Sequence, residues 1–542
     1  MKAICQTGSF ETFSMYNAIY VDKTELIYSL VSLPNRIFIS RPRRFGKSLT
    51  LDTIATLFET GVEPYFKGTW IYDKWTEPTY PVLRLNFLNF DKNSIEKFNN
   101  KLNSKITEFA ELNHVTTFKE KEEAEDSIDH LLEQLRLENR QIVILIDEYD
   151  CQMTANINNE TLYKQFQEKI KSFYANIKDK FAIKFLGITG VTRLKDVSIF
   201  SVGSDINDIT NASAYSQMIG FTRDEIKKYY IDYLKLASSY ENNCSVGDVT
   251  DTQLESMLDM MAQNYDGYCF DEDYEKKVFS TWSVNKFFQT MIEKKKVQFG
   301  EYWYDNGGLP SILVNYLKTH ELNIFEYLDK DKFLKVSSDD FKNPTALTTI
   351  NQNVLMCQTG YLTLRSDLNK TSTVALGIPN GEIYKALNRL LANNIFKGNT
   401  DITDDYGRSL LEVGTVDDII NLFNSALNSV SYDNYPIVSE SSVQNMLKLY
   451  LLGAHQEVLS EVHEAKGRAD LVVNTDNRRI VFEFKYAKNE AEAKSKLSEA
   501  VEQIKTRDYG NILPKKNELI RIAAVFNADP KVRAFTENQI VP

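Results

Sequence analysis

The stretch Arg36-Ile37-Phe38-Ile39-Ser40-Arg41-Pro42-Arg43-Arg44-Phe45-Gly46-Lys47-Ser48 carries the clearest fold signal in the chain. Its first four residues form a largely apolar run that is typical of a buried strand. The residues after Ser48 follow a helical pattern, with Leu51, Ile54, Leu57 and Phe58 on one face. Because backbone N–H groups at a helix start attract phosphate, a loop between a strand and a helix is the setting that a P-loop requires. We therefore expect residues Arg41 to Ser48 to bind a nucleotide.

Three residues of this loop supply its chemistry. Lys47, which follows Gly46, is expected to reach the β- and γ-phosphates of ATP, and the Ser48 hydroxyl is expected to bind Mg²⁺. Arg41 stands where the pattern GxxxxGK[ST] has its first glycine, so the loop must turn there without the freedom of glycine. A chance Gly-Lys-Ser at the start of a helix is the alternative interpretation of these residues taken alone.

A second apolar run, Ile142 to Ile146, ends in two acids, Asp147 and Glu148. At such a strand end, Asp147 is placed to hold Mg²⁺ through water, and Glu148 is placed to orient or deprotonate the attacking water. An acidic strand end is common by itself. Its position downstream of the loop, in the order that an ATPase requires, favours the catalytic interpretation.

A third run, Lys184 to Thr189, is followed by Gly190-Val191-Thr192-Arg193. Thr189 at the strand end can sense the γ-phosphate, and Arg193 can reach it as a sensor or finger. A finger would act in trans, which requires an oligomer. An ordinary surface arginine is the alternative interpretation of Arg193.

The apolar runs predict an α/β protein of about three domains. Residues 1–210 predict a P-loop parallel sheet, because near-continuous apolar strands separated by helices indicate a sheet covered on both faces. Residues 211–400 predict a mostly helical middle domain, and residues 401–435 predict a connector. Residues 436–542 predict a C-terminal α/β domain, with strands at Glu461 to Val472 and Arg479 to Tyr486 and a closing strand at Ile520 to Phe526.

The composition is that of an ordinary globular protein, since 43% of the 542 residues are hydrophobic and 25% are charged. The longest aliphatic run, Ile142 to Ile146, is far shorter than the roughly 20 residues that cross a bilayer, so no membrane partner is expected. The lack of a signal-peptide pattern after Met1 predicts a cytoplasmic protein. The net charge of −12 argues against a protein that coats nucleic acid non-specifically, but it is compatible with one locally basic domain.

Two carboxylates and a lysine mark a second candidate site. Asp470 and Glu483 lie on neighbouring expected strands, and Lys485 is two residues beyond Glu483, so the side chains of Glu483 and Lys485 leave the same strand face. Hard carboxylate oxygens suit Mg²⁺ or Mn²⁺, and a bound divalent ion with a nearby lysine suits phosphodiester cleavage. A half-exposed strand with alternating charge is the alternative interpretation.

These motifs resemble those of the AAA-ATPase-like family of bacterial proteins. In that family, arginine at the first P-loop position is usual, and the chain commonly ends in a PD-(D/E)XK nuclease-like domain. The resemblance covers nearly the whole chain and therefore implies ATP and a divalent metal as cofactors. It rests on Tyr20-Val21-Asp22-Lys23-Thr24, residues 41–49, Asp147-Glu148-Tyr149-Asp150, Gly220-Phe221-Thr222, Tyr265-Asp266-Gly267-Tyr268 and Gln358-Thr359-Gly360-Tyr361-Leu362-Thr363.

The C-terminal part is similar to the PD-(D/E)XK superfamily, which implies a restriction-endonuclease-like fold. Asp470 matches the first acid, and Glu483-Phe484-Lys485 matches the ExK motif. Glu440 matches an extra acid that is often found on the preceding helix, so the implied metal ligands are Glu440, Asp470 and Glu483. Gln503 and Tyr509 match a glutamine and a tyrosine that follow, whereas no proline precedes Asp470.

Two functions follow from these patterns. The first is an ATP-binding and ATP-hydrolysing protein that controls a metal-dependent nuclease, with DNA or RNA as its substrate. The second is an ATP-dependent switch or scaffold whose C-terminal domain binds nucleic acid or a partner without cleaving it. The intact Asp470, Glu483 and Lys485 favour the nuclease, and the acidic charge of the chain favours the switch.

Overall fold

The computed structural model describes residues 1–33, 35–177, 180–194, 206–303, 311–317, 320, 324–344, 346–396, 406–454, 456–464, 467–511 and 514–542. The chain divides into two compact units. Unit 1 comprises Met1–Leu322 and Asp331–Ile383, and unit 2 comprises Asn323–Lys330 and Tyr384–Pro542. The three boundaries between the four expected segments stay predictions, and the start of the expected 401–435 connector lies outside the described residues.

A five-stranded sheet forms the centre of the N-terminal part of unit 1. Its order is β2-β3-β4-β1-β5, and each pair of neighbours is parallel. Every residue of β3 and β4 is buried, as expected for strands covered by helices on both faces. The strands are β1 (Asn35–Ser40), β2 (Val82–Asn86), β3 (Ile142–Asp147), β4 (Ile183–Gly190) and β5 (Asn207–Asp208).

Helices connect the strands of this sheet. The helix that follows β1 buries Leu51, Ile54, Leu57 and Phe58, the face expected from the sequence. The helices of this region are α1 (Glu11–Met15), α2 (Thr24–Val31), α3 (Lys47–Thr60), α4 (Ile95–Leu112), α5 (Ala124–Leu137), α6 (Cys151–Ala155) and α7 (Glu160–Ile177). The P-loop fold class predicted from the sequence is confirmed.

The rest of unit 1 is rich in helices. A hydrophobic core joins three of them, α9, α10 and α11, through residues such as Leu234, Met257 and Phe287, all of which are fully buried. Hydroxyl side chains start two of the helices, because Thr222 and Thr250 each form a capping box. The helices are α8 (Arg223–Tyr229), α9 (Ile231–Asn242), α10 (Asp251–Tyr265), α11 (Thr281–Lys294), α12 (Ser311–Leu317), α13 (Ser338–Lys342) and α14 (Gln352–Gln358).

The helical region also contains a small antiparallel sheet that the periodicity did not predict. Its order is β6-β8-β7, and its strands are β6 (Leu334–Ser337), β7 (Thr363–Leu364) and β8 (Thr373–Gly377). Strands of two to five residues are too short to show a clear alternation of apolar and polar residues. One more helix, α15 (Gly381–Ile395), spans the boundary between the two units in the sequence.

Unit 2 contains a five-stranded mixed sheet of order β13-β12-β11-β10-β9. All neighbouring pairs are antiparallel except β11 and β12, which are parallel and joined by a helix. The strands are β9 (Glu457–Glu464), β10 (Gly467–Asn474), β11 (Arg478–Ala487), β12 (Glu518–Asn527) and β13 (Ala534–Val541). The helices are α16 (Tyr406–Val413), α17 (Val416–Asn428), α18 (Glu440–Gly453) and α19 (Glu490–Arg507).

Two expectations for this sheet need correction. The run from Glu461 to Val472 is not one strand, because β9 ends at Glu464 and β10 returns antiparallel to it from Gly467. The strand around Ile520 does not close the sheet, because β13 follows it and pairs with it at the edge. The first error arises because the sequence between the described ends of β9 and β10, Ala465-Lys466, contains no residue that marks a turn. The second arises because β13 is a partly exposed edge strand with a weak apolar pattern.

No helix among the described residues is both long enough and apolar enough to cross a bilayer.

Candidate nucleotide and metal sites

The loop between β1 and α3 has the backbone of an anion-binding turn. Gly46 is the N-cap of α3 and has a φ of 104°, a left-handed value that a residue with a Cβ adopts only with strain. Arg44, two residues earlier, has a φ of 70°. The left-handed backbone at both residues brings the chain into α3 with the first N–H groups of the helix unpaired inside it.

Lys47 lies inside this loop and is buried. Its Nζ donates hydrogen bonds to the backbone oxygens of Arg41 at 3.0 Å and Pro42 at 3.3 Å. The carboxylate of Glu148 is 3.8 Å from the same nitrogen. Phosphate oxygens carry more negative charge than backbone carbonyls, so a triphosphate can replace these carbonyls as the acceptor.

Asp147 accepts hydrogen bonds from two other polar side chains of the site. Ser48 Oγ donates to Asp147 Oδ2 at 2.6 Å, and Thr189 Oγ1 donates to Asp147 Oδ1 at 3.1 Å. The sheet order explains this arrangement, because β4 lies between β1 and β3 and all three carboxyl ends meet at one edge. Burial raises the pKa of Asp147, and the hydrogen bond from Ser48 opposes that shift.

A cavity of about 430 Å³ opens next to the loop. The end of the cavity next to the loop is called the phosphate end here, after the expected role of the loop. It is lined by Arg43, Arg44, Phe45, Gly46, Lys47 and Ser48, together with Glu148. Pockets of roughly 300–1,000 Å³ are usual for ligands of nucleotide size. The structure therefore brings most of the residues expected from the loop, and the expected base Glu148, to one cavity.

Arg41 and Pro42 are placed differently, outside the lining of this cavity. The Arg41 side chain is buried, donates to the backbone oxygen of Ser40 at 2.9 Å, and lies 4.2 Å from the centre of the Phe270 ring. Burial lowers the pKa of Arg41 to about 9. Its position indicates that the arginine at the first loop position anchors the strand end to the helical region.

Arg193 also lies outside the cavity lining. Its Nε forms an ion pair with Asp208 on β5, and its backbone N–H donates to the side chain of Gln358 at 3.3 Å. A contact with the γ-phosphate would require the guanidinium to leave Asp208. The role of Arg193 as a sensor or finger stays a prediction.

The far end of the cavity consists of residues to which the sequence patterns assigned no chemistry. Some of them belong to two motifs of the family resemblance, Tyr20-Val21-Asp22-Lys23 and Gly220-Phe221. Membership of these motifs was the one sign in the sequence that they have a function. The others belong to no motif that the sequence analysis singled out. The lining there includes Ile19, Tyr20, Val21, Met218, Ile219, Phe221, Tyr230, Trp282 and Asn285.

The second site lies in unit 2, where β10 and β11 pair antiparallel. Leu471 pairs with Phe482, which places Asp470 beside Glu483 at the end of the paired segment. Asp470 Oδ2 accepts a hydrogen bond from the Phe484 N–H at 2.8 Å. Lys485 Nζ donates to Glu483 Oε1 at 2.8 Å. The expected acids and the lysine therefore lie within one hydrogen-bonded group.

The electrostatics of this group fit a cation. Burial, followed by the nearby Asp470, raises the pKa of Glu483 to about 7. Burial by itself would lower the pKa of Lys485, but the hydrogen bond to Glu483 and the negative charges of Glu483, Glu440 and Asp470 together raise it. Glu483 Oε2 is buried and has no hydrogen-bond partner. A buried carboxylate oxygen without a donor suits a metal ion, which would supply the missing positive charge.

Glu440, the expected third acid, is the first residue of α18 and is partly exposed. Its carboxylate lies 3.3 Å from Lys485 Nζ. No three Asp, Glu, His or Cys side chains in the described part of the chain are grouped as a complete metal cage. Asp470 and Glu483 lie side by side on β10 and β11, and Glu440 reaches this pair through Lys485.

The glutamine and the tyrosine that match the superfamily pattern, Gln503 and Tyr509, lie near each other. Gln503 Nε2 donates to Tyr509 Oη at 3.5 Å, and Arg507 Nη1 donates to the same oxygen at 2.8 Å. Tyr509 follows α19 instead of lying on it, because Asp508 ends the helix in a left-handed conformation. Arg507 was not expected from the sequence, and it places a cation beside this pair.

Two family models match the chain. Residues 5–200 match a model described as "Predicted AAA-ATPase", and residues 438–536 match one described as "PD-(D/E)XK nuclease superfamily". A similar protein from Azotobacter chroococcum, an uncharacterized protein from the vnfD 5′ region, is 26% identical over 526 residues, which are 94% of this chain and 93% of that protein.

Solved structures that match the chain include the Walker-type ATPase of Pyrococcus abyssi, with a TM-score of 0.35 and 10% identity over 67% of this chain and 94% of the other. They also include Cdc6p of Pyrobaculum aerophilum, with a TM-score of 0.26 and 11% identity over 68% of this chain and 92% of the other. The family resemblances drawn from the sequence are confirmed at both ends. The chain joins a segment that matches the AAA-ATPase-like family to a segment that matches the PD-(D/E)XK nuclease superfamily.

Proposed function

We propose that the protein binds ATP with Mg²⁺ in unit 1, hydrolyses it, and uses the nucleotide state to control a metal-dependent nuclease in unit 2. The observation that carries the first part is the set of hydrogen bonds from Ser48 and Thr189 to Asp147, beside the buried Lys47. These groups are the ones that a magnesium–triphosphate complex needs at one strand edge.

Each residue has a separate task in this proposal. Lys47 binds oxygens of the β- and γ-phosphates after leaving its backbone carbonyls. Ser48 and Asp147 hold Mg²⁺, which neutralises the charge that develops on the phosphates when it is bound. Glu148 accepts the proton of the attacking water, and Thr189 donates to an oxygen of the γ-phosphate or keeps Asp147 in place.

The test of the ATPase is a comparison of wild type with Lys47→Ala and Glu148→Gln. Binding is measured by isothermal titration with ATP and Mg²⁺, and turnover is measured by release of inorganic phosphate. We expect binding to be lost in the first variant and turnover in the second. Unchanged affinity in Lys47→Ala would mean that the nucleotide binds elsewhere.

We propose further that Asp470 and Glu483 hold Mg²⁺ or Mn²⁺ and that unit 2 cleaves phosphodiester bonds of nucleic acid. The observation that carries this part is the buried, unpartnered Glu483 Oε2 beside Asp470 and Lys485. A bound metal ion would activate water and stabilise charge on the phosphate. Lys485 orients the water or holds a phosphate oxygen. A cytoplasmic location is part of the same proposal.

The test is incubation of the purified protein with single- and double-stranded DNA and RNA, with Mg²⁺ or Mn²⁺, and with or without ATP. Cleavage that disappears in Asp470→Asn supports the nuclease. A second candidate function, an ATP-dependent switch that binds nucleic acid or a partner without cleaving it, is favoured by the net charge of −12. Retention of nucleic acid without cleavage under every condition would support the switch.

A further inference from the structure

The cavity beside the P-loop continues well beyond the phosphate end. The groups that line its far end are mostly apolar or aromatic, as expected for a surface that receives the flat ring of a nucleobase. They come from three separate segments, which are the residues before α2, the loop before α8, and the first turns of α11. They include Ile19, Val21, Met218, Ile219, Phe221 and Trp282.

The backbone around Gly220 fixes one of these segments. Gly220 has a φ of 113°, and a Cβ there would lie 2.7 Å from the Val278 side chain. The close approach allows Phe221 to exchange backbone hydrogen bonds with Phe279, at 3.2 and 2.7 Å. Phe221 is thereby held against the cavity by a short antiparallel bridge.

The P-loop and α11 are directly joined. Thr281 Oγ1 donates to the backbone oxygen of Arg44 at 3.0 Å, and the guanidinium of Arg44 lies 5.0 Å from the centre of the Trp282 ring. Arg44 Nη1 also donates to the backbone oxygen of Tyr302 at 2.6 Å. The loop that binds phosphates therefore holds the helix that lines the far end, so the two ends of the cavity form one site.

Asn285 is the polar group of this far end with a fixed orientation. Its Oδ1 accepts a hydrogen bond from Tyr230 Oη at 2.6 Å. Both side chains are more than nine-tenths buried. Because Oδ1 is engaged by the hydroxyl, the Nδ2 amide group is the part of Asn285 that remains to bind a ligand, and it is a donor.

The charges around the cavity favour one base over another. A donor such as Asn285 Nδ2 suits the ring nitrogens of adenine, which accept hydrogen bonds. Guanine also presents N–H donors at N1 and N2, which are best matched by a carboxylate. Within the described lining, Glu148 at the phosphate end and no other residue carries a carboxylate.

We propose that the far end of the cavity binds the base of the nucleotide, and that Asn285, held by Tyr230, selects adenine by donating to one of its ring nitrogens. The inference rests on the proposed ATP site and names its specificity. It makes α11 part of the nucleotide site and not only of the helical core.

The test compares ATP, GTP and inorganic tripolyphosphate, each with Mg²⁺, by isothermal titration. Tripolyphosphate measures the phosphate end alone, so the ratio of ATP to tripolyphosphate affinity measures what the base adds. We expect wild type to bind ATP more tightly than GTP and tripolyphosphate. Asn285→Ala should lower the ATP-to-tripolyphosphate ratio about tenfold, since a buried donor is lost.

Asn285→Asp is the sharper variant. It keeps the side-chain shape and the hydrogen bond from Tyr230, but it offers adenine an acceptor where a donor is needed. The ATP-to-GTP ratio should therefore fall about tenfold or more. Gln289→Glu, the same amide-to-acid change one turn along α11 and outside the cavity lining, controls for the added charge and should leave the ratio unchanged.

Tyr230→Phe removes only the hydroxyl that orients Asn285. If the Asn285 variants do not fold, this variant still tests the role of Asn285. We expect a smaller fall of the ATP-to-tripolyphosphate ratio, about threefold. If Asn285→Ala keeps the wild-type ratios, the adenine role is overturned while the ATP site stands. If wild type binds neither ATP nor tripolyphosphate, the proposed ATP site and the adenine role fall together.

Discussion

Lys47 is held in the loop by acceptors that a nucleotide can replace. Two backbone carbonyls, at 3.0 and 3.3 Å, and the Glu148 carboxylate, at 3.8 Å, surround its ammonium. Removing the ammonium takes away the charge-assisted hydrogen bonds to phosphate, each worth roughly 1.5–3 kcal/mol. We expect Lys47→Ala to weaken ATP binding about 100-fold or more in isothermal titration. Lys164→Ala, an exposed lysine on α7, is the matched control and should bind as wild type does.

Glu148 has the position of a base. Its backbone has a φ of 53°, an uncommon value outside glycine, and its side chain lines the cavity opposite the loop. Glutamine keeps the shape but cannot accept the proton of the attacking water. We expect Glu148→Gln to bind ATP normally and to hydrolyse it roughly 100 to 10,000 times more slowly, as loss of a general base usually gives. Wild-type turnover in this variant would assign the base to another residue.

Glu382 is a buried acid that has no role in either proposed reaction. It is the second residue of α15, and its carboxylate accepts hydrogen bonds from Trp303 N at 2.8 Å and Ser283 Oγ at 2.7 Å. Burial raises its pKa from 4.5 to about 8. Between these values the unfolded chain has lost the proton and the folded chain still keeps it. Stability therefore falls as pH rises through this window, by up to about 1.4 kcal/mol per pH unit.

Glu382→Gln should remove this dependence on pH. The neutral amide keeps two hydrogen-bonding atoms and has no proton to lose. We expect the urea midpoint of the variant to change less than that of wild type between about pH 5 and pH 8, and to be higher near pH 8. Glu111→Gln, at an exposed position on α4, is the control. Identical slopes for Glu382→Gln and wild type would mean that Glu382 is ionised in the folded protein.

At the scale of elements, the β10–β11 pair decides how the acids of unit 2 tolerate change. Asp470 repels Glu483, and burial raises the pKa of both carboxyl groups. Removing one of the two charges therefore removes this repulsion and stabilises the metal-free protein. Asp470 Oδ2 also accepts the Phe484 N–H at 2.8 Å. Alanine loses this acceptor at a cost of about 1–3 kcal/mol, whereas asparagine keeps one.

We therefore expect Asp470→Asn to melt at the wild-type temperature or above it without metal, and Asp470→Ala to melt lower. Both variants should lose Mn²⁺ binding in titration and any metal-dependent cleavage, because the site is left with one hard anionic ligand. Lys485→Ala should lower the rate of cleavage more than the affinity for Mn²⁺, since a cation is not a ligand. Normal Mn²⁺ affinity in Asp470→Asn would place the metal elsewhere.

The elements that the sequence predicted well are those whose signal is local. The first four strands begin and end within about two residues of the expected apolar runs, because each contains buried apolar residues, and β3 and β4 are buried along their whole length. Between the described ends of β9 and β10 the sequence is Ala465-Lys466, which contains no glycine or proline, so the two strands read as one. The three-stranded sheet of unit 1 was missed because its strands are very short.

The candidate sites divide in the same way. Lys47, Ser48, Asp147 and Glu148 could be named because strand ends and a loop motif fix them locally. The residues at the far end of the cavity could not be named, because Tyr20, Phe221 and Asn285 come together through the packing of segments far apart in sequence. The position of Arg41 was equally hidden, because its buried contact with Phe270 depends on the tertiary fold.

At the scale of the whole molecule, the two proposed sites belong to different compact units. Every residue assigned to ATP lies in unit 1, and every residue assigned to the second metal lies in unit 2. No residue is therefore assigned to both sites. Any influence of ATP on cleavage must then pass through a change of conformation, because a ligand shifts an equilibrium only by binding its states differently.

This separation makes control by the nucleotide testable with variants that each disable one site. Asp470→Asn should hydrolyse ATP at the wild-type rate, because its charge change is confined to unit 2. Lys47→Ala should keep the Mn²⁺ affinity of unit 2, but its cleavage should no longer respond to added ATP. Glu148→Gln, which binds ATP without consuming it, should hold cleavage at the level that wild type shows only while ATP lasts. Release of inorganic phosphate measures the first outcome, and time courses of cleavage with a limiting amount of ATP, together with titration of Mn²⁺, measure the other two. If wild type, Lys47→Ala and Glu148→Gln cleave at the same rate with and without ATP, the nuclease is independent of the nucleotide, and the link between the two units must be abandoned even if both activities are real.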